Sequence, residues 1–223
     1  MEGPALSTKP PRRPDQPDLP GEVRPVTLCR ALDQLALEGS SLERADFSGQ
    51  SASDVRLEQC RLAHVDLTST DLSRALLRDA VIVAGSWANV RTQEMRLRRV
   101  AFKGVRMTGA NLSSASLEDV SFSDCRIDLG SFRFAKLTRV CFQRCRLDEI
   151  DFCGAELLSV TFIDCALIKA MWADATLTRC EMRGSDISGA GNPERLRGVR
   201  MPWADVLASA GELAAAAGVE IVD

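Results

Sequence analysis

The chain has 223 residues, 45% of them hydrophobic and 26% charged, with a formal net charge of −3. It has no Tyr, one His (His64) and eight Cys, none in a C-x-x-C pair, which leaves little for a His-based acid–base centre or a zinc site. No apolar run approaches the ~18 residues of a membrane span, so no cofactor, metal or membrane partner is expected.

Taken in chain order, residues 1–25 come first. They lack the apolar core of a signal peptide, which points to a cytoplasmic protein with reduced cysteines. Pro11, Pro14, Pro17 and Pro20 recur at every third residue, the period that lines one edge of a polyproline II helix. Such a segment suits a proline-binding module, but its composition fits a solvated, disordered tail better. Residues 26–37, VTLCRALDQLAL, turn apolar. They are read as an N-terminal cap, either a short helix or an irregular first coil.

From residue 38 to 191 a period of five takes over. Thirty residues at that spacing, Leu42, Phe47, Ala52, Leu57 and onward to Met182 and Ile187, are large and apolar except Ala52 and Thr92. Two residues before each stands a mostly small one, such as Ala45, Val55, Cys60 and Val65. Neither a helix, at 3.6, nor a strand, at 2, has this period. It requires a backbone that turns a corner every five residues with two side chains inward each time.

Units such as ADFSG (45–49), VDLTS (65–69), ANLSS (110–114), IDFCG (150–154) and SDISG (185–189) resemble the A(D/N)LXX repeat of the pentapeptide-repeat family. The resemblance implies an all-β fold, a right-handed quadrilateral parallel β-helix with four units per coil. Residues 20 apart should then stack. One side accordingly reads Leu57, Leu77, Leu97, Leu117, Leu137, Leu157, Leu177. Another reads Phe102, Phe122, Phe142, Phe162 beside Val100, Val120, Val140, Val160. A column of small residues carries Cys125, Cys145 and Cys165, read as apolar filler. Cys141 and Cys153 point outward and are expected to be the reactive thiols. Gly85 before Trp87 reads as volume compensation, and Gln50, Thr92 and Met95 mark expected distortions.

No catalytic constellation is found. Stacked carboxylates such as Asp46 with Asp66 lie on a convex rod without a cleft to desolvate them, so an enzyme is not expected. The resemblance includes quinolone-resistance-type bacterial members that bind DNA gyrase and are held to mimic duplex DNA. Residues 40–189, however, carry 20 basic and 20 acidic side chains. Arg106, Arg126 and Arg146 stack beside Asp128 and Asp148, a salt-bridged surface rather than a run of negative charge. Direct nucleic-acid binding through Arg96, Arg98 and Arg99 has no support from the net charge. Those three, with Asp128, Asp148 and Glu149, form one possible partner face. An outward apolar girdle of Leu158, Ile163, Ala166, Ile168, Met171 and Ala173 marks a second surface.

Residues 192–223 read as a C-terminal cap. Within it, 203–217 are expected to form one helix, with Val206, Leu207, Ala210, Leu213 and Ala214 on one face and Trp203 at its start. A short strand is expected over 219–222. The tail resembles the terminal helix with which related members cap the rod and pair two copies, so a homodimer through the C-terminal end is expected. The function expected is that of a protein-binding solenoid. In its sharpest form it interacts with DNA gyrase or topoisomerase IV and protects against an antibiotic or toxin. The alternative is a scaffold for an unrelated protein partner.

Overall fold

The computed structural model describes residues 9–27, 32–52, 54–220 and 222. Its backbone turns on the position two residues after each central apolar residue. There φ is positive throughout the repeat, as in Gly49 (68°), Ser69 (58°), Arg74 (64°), Asn89 (53°), Ser114 (58°) and Gly154 (70°). A left-handed residue reverses the local direction of the chain, and four such corners close a coil in 20 residues. For an L-residue this conformation costs about 1–2 kcal/mol, least for Gly, Asn and Asp. The cost is offset by coil-to-coil hydrogen bonding: the Ser69 N–H donates to Ala88 O and the Arg74 N–H to Gln93 O, each at 2.8 Å.

The coils build one parallel sheet of 13 strands. β1 (Arg24–Pro25), β2 (Ala36–Glu38) and β3 (Ser40–Glu43) open it, and β4 (Arg56–Glu58) and β5 (Arg61–Ala63) follow. β6 (Leu76–Val83), β7 (Arg96–Lys103), β8 (Ser116–Ser123) and β9 (Lys136–Gln143) each run through a corner. β10 (Glu156–Leu158), β11 (Thr161–Ile163), β12 (Thr176–Thr178) and β13 (Glu181–Arg183) close it. The register advances by 20 throughout: Leu77 pairs with Leu97, Leu97 with Leu117, Leu117 with Leu137. The other two sides pair through single bridges such as Asp46 with Asp66 and Asn111 with Ser131. About eight coils at ~4.8 Å make a rod of roughly 38 Å.

The interior is a set of columns. Phe102, Phe122, Phe142 and Phe162 stack at centroid spacings of 4.8, 4.9 and 5.1 Å. Phe132, Phe152 and Trp172 stack on the adjoining side. Gly85 has a stricter role than making room for Trp87. Its φ is +86°, and a Cβ there would collide with the Val65 carbonyl oxygen. The expected distortions at Gln50, Thr92 and Met95 do not occur. The Thr92 hydroxyl donates to Asn111 O and Met95 is fully buried, while Gln50 Oε1 accepts the Leu32 N–H and so closes a backbone group of the first coil.

Three expectations for the ends are corrected. The proline-rich segment is not a solvated tail over its described part: residues 9–25 lie against the rod, with hydrogen bonds from Asp15 and Asp18, and lead into β1, which pairs with Ser40–Ser41. Residues 1–8 lie outside the described residues. So does the middle of the N-terminal cap, but Leu32 is already buried in the core. The single C-terminal helix is two, α1 (Trp203–Ala208) and α2 (Ala210–Ala216). They break at the buried Ser209, whose φ of −105° and ψ of 22° leave helical geometry. Residues 219 and 220 form no strand, and Ile221 lies outside the described residues.

Candidate partner-binding surface

The outward residues form ladders at the coil spacing. Asp46, Asp66, Asp71, Asn111, Asp151 and Asp186 each precede a central apolar residue, and each accepts the N–H two residues on through its side-chain oxygen. This local turn is the physical reason for the D/N of the repeat. The bonds from Ser48 and Ser188 hold the Asp46 and Asp186 carboxyls below the usual carboxylate range.

Many charges are paired, some within a coil and more of them across coils. Arg126 binds Asp128 at 2.6 Å, and Arg146 reaches Asp148 at 2.7 Å and Asp128 at 3.3 Å. Arg98 lies 3.9 Å from Glu118, and Arg99 grips Asp79 with two bonds of 2.6 Å. Among the described residues Arg96 and Arg106 have no ion-pair partner. Of the possible partner face, Arg98, Arg99, Asp128 and Asp148 are therefore already engaged within the rod. Glu149 stands at a corner with φ of 54°.

One corner column is built of buried, braced charges. Asp79, Arg99, Asp119 and Arg139 alternate in sign, one coil apart. Arg139 holds Asp119 at 2.7 and 2.8 Å and reaches Glu118 at 2.6 Å. The carboxylates are 3% and 5% exposed. The N-terminal segment crosses them: the Asp15 N–H donates to Asp119 Oδ1 at 3.1 Å and the Asp18 N–H to Asp79 Oδ1 at 3.0 Å. Burial opposes their ionisation, but the guanidinium and amide bonds outweigh it, and both carboxyls titrate below the usual range.

Two large apolar side chains escaped the sequence reading. Leu129 is 59% and Phe134 60% exposed, and both occupy left-handed corners, at φ 57° and 56°. They flank one side of one coil. The Phe134 ring lies over Gly154, where a Cβ would collide with it, and Arg133 sits 5.4 Å from its centroid. Exposed Met171 belongs to the same side, two coils on from Ser131. The signal was present in the phase of the repeat, since the other corners from Arg44 to Gly189 carry Gly, Ala or a polar side chain, and these two carry Leu and Phe.

The expected girdle is less open. Leu158, Ile163, Ala166 and Ile168 are half-buried on different sides, and only Met171 among them is exposed. At the C-terminal end, α2 packs on the 3₁₀ turn Pro193–Leu196, and a surface hollow there is lined by Leu213, Ala216 and Ala217. Leu213 thus faces the rod end and Val206 is half-buried, while Trp203 (73% exposed), Leu207 and Ala210 face outward. The break at Ser209 splits the expected apolar face in two.

The seven described cysteines are free. Cys125, Cys145 and Cys165 stack inside and donate to carbonyl oxygens of their own coils. Cys141 and Cys153 are only partly exposed. Burial pushes both thiols up, with the Asp151 carboxylate adding to the shift at Cys153. Their expected reactivity is thereby lowered, because the thiolate is the nucleophile. Among the described residues no helix is long and apolar enough to cross a membrane.

Two family profiles match the chain: one described as pentapeptide repeats (8 copies) over residues 40–79, and one described as a pentapeptide repeat region over residues 86–152. Among solved structures, a trypsin-treated variant of QnrB1, a plasmid-mediated fluoroquinolone resistance protein, is 18% identical. It covers 90% of this chain and 97% of its own, with a TM-score of 0.50. Full-length QnrB1 is 21% identical over 87% and 96% of the two chains, at 0.40. HetL from the cyanobacterium Nostoc sp. strain PCC 7120, a pentapeptide repeat protein involved in heterocyst differentiation regulation, is 17% identical over 77% and 89%, at 0.24. No curated protein matches. At 18% identity the likeness to the trypsin-treated variant shows the fold alone.

Proposed function

The chain belongs to the pentapeptide-repeat family, and on that premise we propose that it is a non-enzymatic solenoid whose outer faces bind another protein. The partner is a type II topoisomerase, DNA gyrase or topoisomerase IV, and the outcome is relief from an inhibitory drug or toxin. One observation carries the binding role. Leu129 and Phe134 hold large apolar side chains in water at corners where any such residue is strained, and the rod gains little packing from either. Large apolar side chains kept in water with little packing in return point to an external use. The shared fold with QnrB1, a fluoroquinolone resistance protein, supports the choice of partner, and that partner would place the protein in the cytoplasm.

The rod acts as a homodimer joined at its C-terminal end. Trp203 and Leu207 lie four residues apart on α1, share one outward face and form the centre of that interface; Met171 and the half-buried Leu158, Ile163, Ala166 and Ile168, on different sides of the last coils, are its further candidate contacts.

A second reading is favoured by the paired ladders. A surface whose Arg and Asp side chains satisfy each other does not present the contiguous negative charge of a DNA mimic, which suits a scaffold for a partner unrelated to DNA topology. Gyrase supercoiling with and without a fluoroquinolone separates the two. Protection or inhibition that is lost on Phe134→Ala supports the topoisomerase reading. No effect at tens of micromolar overturns it and leaves the scaffold.

A further inference from the structure

The described part of the proline-rich segment repeats Pro-x-x as Pro11-Arg12-Arg13, Pro14-Asp15-Gln16 and Pro17-Asp18-Leu19. Pro11, Pro14 and Pro17 are half-buried against the rod, while the residues between them up to Asp18 are exposed. The two amides that bind the corner column belong to the residues directly after Pro14 and Pro17. Asp15 meets Asp119, and Asp18 meets Asp79. Gln59, one coil further towards the N-terminal end in the same column, donates its amide to Asp18 O at 3.4 Å.

The spacing of donors and acceptors follows from two independent periods. Three residues of polyproline II rise about 9.3 Å. Asp79 and Asp119 are two coils apart, about 9.6 Å. An extended Pro-x-x chain running along the corner therefore offers an N–H to every second member of the column, where the carboxylates stand. The intervening Arg99, and Arg139 beyond, hold those carboxylates in place. One more step would bring Arg12 opposite Ser159, itself buried. The contacts read the backbone and the proline spacing, while the x side chains remain in solvent.

We propose that this corner is a receptor for polyproline-II segments, that residues 11–20 are its resident ligand, and that a proline-rich segment of a partner protein binds the rod by exchanging with them. Recognition uses buried carboxylates as acceptors for post-proline amides and the half-buried proline rings as spacers. A tethered strap competes at an effective concentration of order millimolar, so an incoming segment needs the strap loosened or a second contact on the rod. This inference goes beyond the topoisomerase reading and does not depend on it.

The test uses the full-length chain. In wild-type protein, hydrogen exchange should show the Asp15 and Asp18 amides protected at least tenfold over a free peptide of residues 11–20. The double substitution Pro14→Gly and Pro17→Gly leaves the rod untouched and loosens the strap on the order of tenfold by raising its unbound entropy. A fluorescent peptide of residues 11–20 should then bind that variant about tenfold more tightly than wild type. Adding Asp79→Ala and Asp119→Ala to the variant should abolish binding, with circular dichroism checking that the rod persists. Should the rod not survive those changes, a peptide with its prolines replaced by alanine serves instead and should bind at least tenfold more weakly. Asp15 and Asp18 amides that exchange freely, equal peptide affinity for variant and wild type, or no binding to either at millimolar peptide would each overturn the proposal.

Discussion

At the scale of single residues, the repeat divides its positions by different physical demands. The central position asks for volume. Leu117 is buried in a column of identical neighbours, and Leu117→Ala should cost about 2–5 kcal/mol in denaturant unfolding. The corner asks for a left-handed backbone, a demand that Gly, Asn and Asp meet most cheaply. Gly85 is a special case, because it is an inward position with positive φ pressed on the Val65 carbonyl. Gly85→Ala should therefore destabilise more than Gly104→Ala, whose φ of +62° is strained but whose surroundings are open; about 1 kcal/mol is expected for the latter, and melting curves of the two variants compare them. Phe134→Gly should leave stability unchanged or raise it by up to ~1 kcal/mol, since it relieves a strained corner, while reducing capture of the partner. A loss of stability above ~2 kcal/mol would show that the exposed ring is a packing residue instead.

At the scale of elements, the coil was legible and the attachments were not. The registers Leu77–Leu97 and Phe102–Phe122 follow from the sequence because stacked identical side chains advertise a period of 20. The seat of the proline-rich strap does not, because its acceptors lie 61 and 104 residues away and nothing local marks them. Its dependence on pH has a definite sign. Asp79 faces Arg99, Arg78 and Asp18, and Asp119 faces Arg139, Arg98 and Asp15. Both carboxyls are lowered in the folded chain, so their contribution is complete above the ordinary carboxylate pKa and is lost as pH falls through the lower, folded-state values. The amide shifts of Asp15 and Asp18 should stay constant from pH 7 to about 5 and move towards free-peptide values only in more acidic solution. Movement between pH 6 and 7 would contradict the assigned acceptors. The break between α1 and α2 was equally hidden: the apolar spacing of Val206, Leu207, Ala210 and Leu213 suits one helix, yet Ser209 buries itself where the chain bends onto Pro193–Leu196.

At the scale of the whole molecule, the C-terminal end governs assembly. Light scattering should give twice the 24.3 kDa of the chain, and Trp203→Glu with Leu207→Glu should return it to the monomer; a wild-type monomer at micromolar concentration would remove the dimer. By itself, the sequence determined the solenoid: a period of five with a superimposed period of 20 admits one way of burying its apolar residues, and every coil then repeats the same local solution. Only the tertiary structure decided what lies on the rod's outside. Leu129 and Phe134 became a surface patch, Arg99 and Arg139 became the braces of buried carboxylates, and a proline-rich stretch that reads as tail became a strap. The inside is set by contacts at a fixed sequence interval, which periodicity records. The outside is set by meetings between residues at no fixed interval, and these exist only once the coils are stacked.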